Sequence, residues 1–192
     1  MADAPKSRGI NYEATLASLM ALMALAVSAY TAWIQRQQVR AQVLPLLEYG
    51  TSNQPALNIT VANKGVGPAR IEHVVVTLDG KPIASWIDLQ RQLFRADEHA
   101  GYSTSLLGKH ILSPGEEIAA YTLTDDSGQP LGVGNKSSPG FHFNSERNRV
   151  GVEICYCSAF DECWILTAQH QQQPETKPVR RCPAWSARSF HD

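Results

Sequence analysis

Four cysteines are the residues of this chain whose type and spacing favour chemistry. Two of them form a C-x-C pair, the third follows after a five-residue gap, and the fourth lies near the carboxyl end (Cys155, Cys157, Cys163 and Cys182). Sulfurs at such spacings support disulfide formation, metal binding or thiol–disulfide exchange. The elements that carry the cysteines decide among these three.

The first three cysteines belong to a predicted β-hairpin. Apolar residues recur at every second position from Val150 to Tyr156, which is the pattern of a half-buried strand. Cys163 to Thr167 is the expected partner strand, with Ser158 to Glu162 as the connecting loop. In that register Cys157 faces Cys163, and cross-strand neighbours lie close enough for a disulfide.

The same hairpin predicts a partner for Cys155. Side chains two positions apart point to one face of a strand, so Cys155 and Cys157 share a face. Only Cys182 then remains to bond with Cys155, and the carboxyl-terminal segment would cross the outer face of the hairpin. Four cysteines permit three pairings, and the hairpin favours this one.

Zinc binding and redox catalysis are the alternatives. Structural zinc sites favour two short Cys or Cys/His pairs, whereas here a C-x-C precedes a five-residue gap. Catalytic thiols often lie at the start of a helix, whereas Cys155 and Cys157 fall within a strand. We therefore expect two structural disulfides and no metal, which requires an oxidising compartment outside the cytosol.

Short strands and turns extend through the rest of this region. Residues 57–62 alternate in hydropathy with a period of two, which is typical of a half-buried strand. The next apolar series slips in phase by one residue near Glu72 and His73, which predicts a β-bulge. Asp79-Gly80 predicts a hairpin turn before another strand over Lys81 to Trp86.

The later segments complete the predicted fold. Ile87 to Phe94 has helical spacing, and residues 110–112 and 118–123 flank a turn. Asp125 to Gly140 has loop composition, and the polar Gln171 to Lys177 is expected to be irregular. Antiparallel strands at this spacing predict a mainly β fold, an immunoglobulin-like β-sandwich with a short helix.

An uncharged apolar run from Ala14 to Ile34 precedes this domain. As a helix it would extend roughly 30 Å, the thickness of the hydrocarbon core of a bilayer. A cleaved signal peptide is the alternative, because Val27-Ser28-Ala29 resembles a cleavage site. The run continues past that site to Ile34, and Asp3 and Glu13 dilute the basic region before it. We favour an uncleaved transmembrane anchor.

The anchor divides the chain into four parts. They are a tail at 1–13, a transmembrane helix at 14–35, a juxtamembrane stalk at 36–45 and a β domain at 46–192. Basic residues flank both ends of the helix, so the positive-inside rule does not decide the orientation. The cysteines decide it, since disulfides place the β domain outside the cytosol and the amino terminus inside.

Small residues lie along one side of the predicted helix. Ala17, Ala21, Ala24 and Ser28 recur at spacings of three and four. Helices associate in lipid through close backbone approach, so this stripe predicts packing against a partner helix or a second copy. The lipid bilayer itself is the other expected partner.

Composition and motifs exclude several function classes. The formal net charge is −1, which favours neither nucleic acid nor an acidic substrate. No G-x-S-x-G elbow, H-E-x-x-H helix or phosphate-binding glycine loop occurs. We therefore expect no enzyme activity, no catalytic residue and no cofactor.

Three short motifs carry a resemblance to a known family. They are Val43-Leu44-Pro45-Leu46-Leu47-Glu48, then Asn63-Lys64-Gly65-Val66-Gly67-Pro68-Ala69-Arg70-Ile71, and finally Ile154-Cys155-Tyr156-Cys157-Ser158 followed by Cys163-Trp164. Together with the anchor they resemble uncharacterised bacterial single-pass membrane proteins. The resemblance implies an extracytoplasmic immunoglobulin-like domain behind one membrane helix, and it implies no activity.

Three functional hypotheses follow. The leading one is a protein-interaction module anchored in the bacterial inner membrane, with its carboxyl-terminal domain in the periplasm and another envelope protein as partner. The exposed loop from Asp125 to Gly140 would be its contact surface. The second is an envelope thiol–disulfide redox protein that uses Cys155 and Cys157. The third is a small-molecule sensor or carrier.

Overall fold

The structure, a computed structural model, describes residues 12–94, 98, 100–169, 173–183 and 190. These residues form three α-helices and ten β-strands. The chain divides into two compact units, of which the first ends at Ala41 and the second begins at Gln42.

Helix α1 (Tyr12–Gln42) has 31 residues and buries none of them. It is long and apolar enough to cross a membrane. At about 1.5 Å per residue it extends roughly 46 Å, so its polar last turns reach beyond a hydrocarbon core. Ser18 and Thr31 each donate their hydroxyl to a carbonyl one turn earlier, both at 2.8 Å. The helix therefore satisfies these two polar side chains internally, as an apolar environment requires.

Four strands of the second unit form an antiparallel sheet in the order β1-β2-β7-β5. Their bounds are β1 (Leu47–Ser52), β2 (Asn58–Asn63), β5 (Gly101–Ser103) and β7 (Glu117–Thr124). The alternation of residues 57–62 predicted β2, and the structure confirms it. Strand β1 was not predicted from the sequence, and it pairs with β2 from Leu47↔Asn63 to Ser52↔Asn58.

The other six strands form a second antiparallel sheet in the order β10-β9-β8-β3-β4, with β6 also paired to β3. Their bounds are β3 (Ala69–Leu78), β4 (Lys81–Pro82), β6 (Ile111–Leu112), β8 (Val150–Cys157), β9 (Cys163–Gln169) and β10 (Glu175–Val179). Strands β8 and β9 are the predicted hairpin. Strand β4 is shorter than the expected Lys81 to Trp86.

Two local predictions within β3 and its turn are confirmed. The pairing of β3 with β8 shifts register between Ile71 and His73, as a bulge requires. Asp79 and Gly80 have φ values of 51° and 74°, so both adopt the left-handed conformation of a two-residue hairpin turn.

The two sheets contribute to one hydrophobic core. Alternate residues of β2 and β7 point into it from the four-stranded sheet, and alternate residues of β3, β8 and β9 from the six-stranded sheet. Fully buried members include Ile59, Val61, Tyr121, Ile71, Val76, Ile154, Tyr156 and Leu166. Cys155 and Cys157 are outside this core set although they belong to β8, because they point to the opposite face.

Two short helices cover part of this core. Helix α2 (Trp86–Leu93) confirms the predicted short helix and is capped by Ser85, whose hydroxyl accepts from Asp88 N at 3.3 Å. Helix α3 (Pro139–Glu146) begins inside the segment expected to be a loop. Pro139 is at its first position and Ser138 is its N-cap, a combination that favours helix initiation.

The predicted irregularity of Gln171 to Lys177 is wrong for Glu175 to Lys177, which belong to β10, and its first two residues lie outside the described part of the chain. Glu175–Val179 pairs with β9 from Glu175↔Thr167 to Val179↔Cys163. The prediction failed because Pro178 and charged side chains depress strand propensity. They are tolerated on an edge strand, and β10 lies at the edge of its sheet.

Asn63 joins three segments at the start of the β domain. Its side chain is fully buried, and its amide donates to Gly67 O at 2.8 Å and to Leu112 O at 3.1 Å. Its carbonyl oxygen accepts from Leu46 N at 3.2 Å and from Gly65 N at 3.0 Å. One side chain thus satisfies four backbone groups, which explains a buried polar residue at this position.

The glycines beside Asn63 have a steric role. A Cβ atom at Gly65 would overlap the backbone of Leu44 to Leu46, and one at Gly67 would overlap Val43. The Val43–Leu46 segment also accepts three backbone hydrogen bonds there. Lys64 N donates to Leu46 O at 2.8 Å, and Val66 N and Gly67 N donate to Leu44 O at 3.0 and 3.3 Å. The motif that begins at Val43 and the motif that begins at Asn63 therefore pack together as one structural unit.

Candidate functional site

All four cysteines are in disulfides, and there is no free cysteine. Cys155 bonds to Cys182 with a Cα–Cα distance of 5.8 Å, and Cys157 bonds to Cys163 with a Cα–Cα distance of 4.0 Å. These are the pairs that the hairpin geometry favours. Cys155 and Cys157 are bonded to different partners, so the C-x-C pair is not itself a disulfide.

The two disulfides touch each other on the face of the six-stranded sheet that points away from the core. Cys157 and Cys163 are direct cross-strand partners in the β8–β9 register. Cys155 lies two residues before Cys157 on the same face, and its bond brings Cys182 alongside. Cys157 Sγ and Cys182 Sγ are 3.8 Å apart although they are not bonded to each other.

The four cysteine residues differ in access to solvent. Cys155, Cys157 and Cys163 are buried, with exposed fractions of 2%, 3% and 6%. Cys182 is half-buried. An external reagent therefore reaches the Cys182 side of the cluster first.

The sulfur atoms of Cys157, Cys163 and Cys182 lie within 4.8 Å of one another, a spacing that would suit a metal ion. Metals bind cysteine as thiolate, however. In the bonded state each of these sulfurs is part of a disulfide. The oxidised cluster therefore presents no thiolate ligand.

The bulge in β3 places two basic side chains beside the disulfides. Arg70 is the register partner of Cys157, and His73 is the partner of Cys155. Residues three apart normally point to opposite faces of a strand. The extra residue at Glu72 reverses the alternation, so that Arg70 and His73 both lie next to the cysteine face.

Arg70 is held by two carboxylates. Its Nε donates to Glu72 Oε1 at 2.5 Å, and its Nη2 donates to Asp161 Oδ1 at 2.7 Å. The bond to Asp161, followed by the bond to Glu72, raises the pKa of the Arg70 guanidinium above its ordinary value. The Asp161 contact ties β3 to the β8–β9 loop, whereas Glu72 lies on β3 itself. Both ion pairs are too exposed to add much stability.

The β8–β9 loop that carries Asp161 is organised by Ser158. Ser158 is 1% exposed, and its hydroxyl accepts from Phe160 N at 3.2 Å and Glu162 N at 3.3 Å. Asp161 has a φ of 58°, a left-handed conformation that Asp adopts more readily than most residues. The loop thus forms a defined turn that fixes the positions of Cys157 and Cys163.

These elements surround a cleft of about 560 Å³. Its lining includes Arg70, Glu72 and His73 from β3 and residues 180–183 from the segment after β10. Arg180 and Arg181 are exposed. Three guanidinium groups against two carboxylates give the cleft a positive character, which favours thiolates and other anions.

The other predicted site residues lie elsewhere. Ala17, Ala21, Ala24 and Ser28 are all exposed along α1, so helix association through them stays a prediction. Residues 126–130 and 134–137 of the expected contact loop are exposed. None of the loop residues lines the cysteine cleft.

Sequence reasoning missed the charged part of this site. The phase slip near Glu72 predicted the bulge, but its consequence for Arg70 and His73 requires the β3–β8 pairing. Arg180 and Arg181 precede Cys182 directly in the chain, and this adjacency was a signal that could have included them.

No family model, no curated protein and no solved structure matches this chain.

Proposed function

We propose that this protein is a single-pass protein of the bacterial inner membrane whose β domain lies in the periplasm and binds another envelope protein without catalysing a reaction. The observation that carries the proposal is the presence, on one chain, of an unburied apolar helix and of four cysteines that are all oxidised. Disulfides persist in oxidising compartments, and a helix of this length with no buried residue needs an apolar environment.

A pair of reporter fusions at the carboxyl terminus tests the topology. Alkaline phosphatase is active only where its own disulfides form, whereas a fluorescent protein exported through the general secretion route stays dark. We expect an active phosphatase and no fluorescence from the matched fusion. The reverse pattern would place the β domain in the cytosol and remove the basis of the proposal.

An amino-terminal epitope tag tests whether the helix is an anchor or a cleaved signal. We expect the tag to remain on the chain and the chain to stay with membranes after alkaline carbonate washing. Loss of the tag together with release of the chain would show cleavage.

The loop between β7 and α3 is the contact surface that we propose. Asp125 organises it, because its carboxylate accepts from Ser127 N at 2.9 Å, from Ser127 Oγ at 2.6 Å and from Gln129 N at 2.8 Å. These bonds, with that to the Ser127 hydroxyl foremost, lower the pKa of the Asp125 carboxyl. A loop held in one conformation loses less entropy when a partner binds.

Site-specific photocrosslinking in intact cells tests this surface. A photoreactive residue replaces Lys136 in the loop, and a matched control replaces Lys177 on β10. Both positions are exposed. We expect a discrete crosslinked protein from position 136 only. Equal products from both positions, or none from either, would contradict the proposed surface.

We also propose that the β domain is an immunoglobulin-like sandwich of the bacterial family that its motifs resemble. Two antiparallel sheets with a common core support this, as do pairings between strands distant in sequence, β2 with β7 and β3 with β8. An experimental structure with a different strand order would contradict the assignment.

A further inference from the structure

We propose that the cleft is a thiol–disulfide exchange site, in which an external dithiol opens the Cys155–Cys182 bridge and Cys182 then attacks Cys157, so that the reducing equivalents pass to Cys163. The exchange is a stoichiometric rearrangement of the protein's own disulfides rather than turnover of a substrate, so it is separate from the proposed binding function and does not depend on it. A dithiol, on a small molecule or a protein, is the co-reactant.

The geometry of the sulfurs supports an internal transfer. Cys182 Sγ is 3.8 Å from Cys157 Sγ, which is close to van der Waals contact for two sulfurs. Disulfide exchange proceeds by attack of a thiolate on a neighbouring disulfide sulfur. The attacking atom and its target are therefore already neighbours before any bond is broken.

The difference in solvent exposure sets the order in which the cysteines react. Cys182 is half-buried, whereas the other three sulfur-bearing residues are at most 6% exposed. An external thiolate consequently meets Cys182 first. Because Cys182 lies on the terminal segment rather than within a paired strand, it also moves at a smaller cost than Cys155 or Cys157.

The charges of the cleft favour the intermediate in which the Cys155–Cys182 bridge is open and Cys182 is a thiolate. Arg180 and Arg181 lie immediately before Cys182, and both line the cleft with it. Neither forms an ion pair with another side chain in the described part of the chain. Nearby guanidinium groups stabilise a thiolate relative to a thiol. The reduced Cys182 is therefore held in the form that attacks a disulfide.

The chemistry balances in two stages. First, the dithiol forms a mixed disulfide with Cys182 and Cys155 leaves as a thiolate. The second thiol of the reagent then closes its own disulfide and releases Cys182, so that the reagent loses two electrons and two protons and the protein gains them. Second, the Cys182 thiolate bonds to Cys157 while the Cys157–Cys163 bond breaks and Cys163 leaves as a thiolate. The second stage transfers no net electrons.

The exchange moves the point at which the terminal segment is fastened. Before it, Cys182 is bonded to Cys155; after it, Cys182 is bonded to Cys157, two residues further along β8. Two residues of a strand correspond to about 7 Å. The segment stays covalently attached while the β8–β9 hairpin loses its own bridge.

Partial reduction of the full-length protein in detergent tests the proposal. Purified protein is treated with limiting dithiothreitol, quenched with acid and alkylated with N-ethylmaleimide. Chymotrypsin cuts after Tyr156, Phe160 and Trp164, so the four cysteines fall on separate peptides. We expect Cys155–Cys182 to be lost while a Cys157–Cys182 peptide pair and alkylated Cys163 appear. Singly reduced chains whose one remaining disulfide is always a native pair, Cys155–Cys182 or Cys157–Cys163, would overturn the proposal.

A matched pair of variants tests the internal step without reductant. Cys155→Ser leaves Cys182 as a thiol beside the intact hairpin bridge, whereas Cys182→Ser leaves Cys155 as the thiol. We expect alkylation to divide between Cys163 and Cys182 in the first variant and to stay on Cys155 in the second. Alkylation confined to Cys182 in the first variant would overturn the internal step. The partial reduction of the unmodified chain gives its answer even if either variant fails to fold.

Discussion

The two sheets of the β domain contribute to one core and are stabilised by different contacts. In the four-stranded sheet, Tyr121 is fully buried and stacks with Tyr102 at 5.6 Å and Phe143 at 5.4 Å, measured between ring centroids. Trp86 lies at 5.2 Å from the same ring. This sheet depends on the packing of large side chains, and such packing depends closely on shape.

The six-stranded sheet carries covalent and ionic contacts in addition to its apolar face. Both disulfides lie on its outer side, and Arg149 bonds Asp79 through Nε at 2.9 Å at the β3–β4 turn. This bond raises the pKa of the Arg149 guanidinium and lowers that of the Asp79 carboxyl. The disulfides and these charged side chains therefore lie on the solvent side of the six-stranded sheet, while its inner face contributes apolar packing to the core.

The largest expected effect comes from removing the ring of Tyr121. Tyr121→Ala deletes a buried aromatic side chain, and such deletions cost about 3–5 kcal/mol of unfolding free energy. Tyr121→Phe is the matched control, because the Tyr121 hydroxyl has no hydrogen-bond partner among the described residues. We expect it to be neutral or stabilising. Urea unfolding followed by near-ultraviolet circular dichroism measures both, and a costly Tyr121→Phe would show that the hydroxyl contributes.

The next largest effect distinguishes the two disulfides. The bridges span 27 residues for Cys155–Cys182 and 6 residues for Cys157–Cys163. The loop-entropy relation gives about 3.5 kcal/mol for the longer loop and about 2 kcal/mol for the shorter one. We expect paired Cys→Ser variants to follow that order in unfolding free energy. Equal losses would mean that chain entropy is not the main contribution.

A smaller effect is expected at Asn63 on β2. Asn63→Ala leaves four backbone groups without their side-chain partner, and each buried unsatisfied group costs about 1–3 kcal/mol before water and relaxation compensate. We expect a net loss of roughly 2 kcal/mol in chemical denaturation. Asn58→Ala is the control, since among the described residues the Asn58 side chain accepts a single backbone hydrogen bond, from Ser52 N at 3.2 Å. A control that costs as much as Asn63→Ala would contradict the role of Asn63 as a junction.

The smallest effect concerns Glu153 on the outer side of β8. Burial raises the pKa of its carboxyl, so the folded state holds this proton more tightly than the unfolded state. The resulting stability is fully present below the ordinary carboxyl pKa and is lost as pH rises through the folded value. Glu153→Gln should therefore stabilise the domain near about pH 7 and have little effect near about pH 3. A stabilisation independent of pH would exclude ionisation as the cause.

Local patterns predicted the elements whose formation depends on neighbouring residues. The alternation from Val150 to Tyr156 and the five-residue loop after Cys157 were sufficient for the β8–β9 hairpin, because the register of a short hairpin follows from its turn. Helix α2 and the Asp79-Gly80 turn were predictable for the same reason. The long apolar run was sufficient for α1.

Longer-range pairing explains what the patterns did not predict. Strand β10 has poor strand propensity and forms because β9 offers an unpaired edge. Helix α3 was not predicted because it begins in a Gly- and Ser-rich segment. Serine, glycine and proline are common both in loops and at the start of a helix, so composition did not distinguish the two. Asn63 and its glycines read as a turn, and only the approach of Val43–Leu46 shows why those residue types occur together.

The chain alone was enough to specify an apolar helix, a hairpin and a set of cysteines with a favoured pairing, because each of these depends on contacts within a few residues or on simple hydrophobicity. The tertiary structure decided that Cys182 lies 3.8 Å from Cys157 and that Arg70 and His73 adjoin the disulfides. Those relations depend on which distant strands pair and on a one-residue bulge. Many strand pairings compete for similar free energies, and only the packing of the whole core selects one of them.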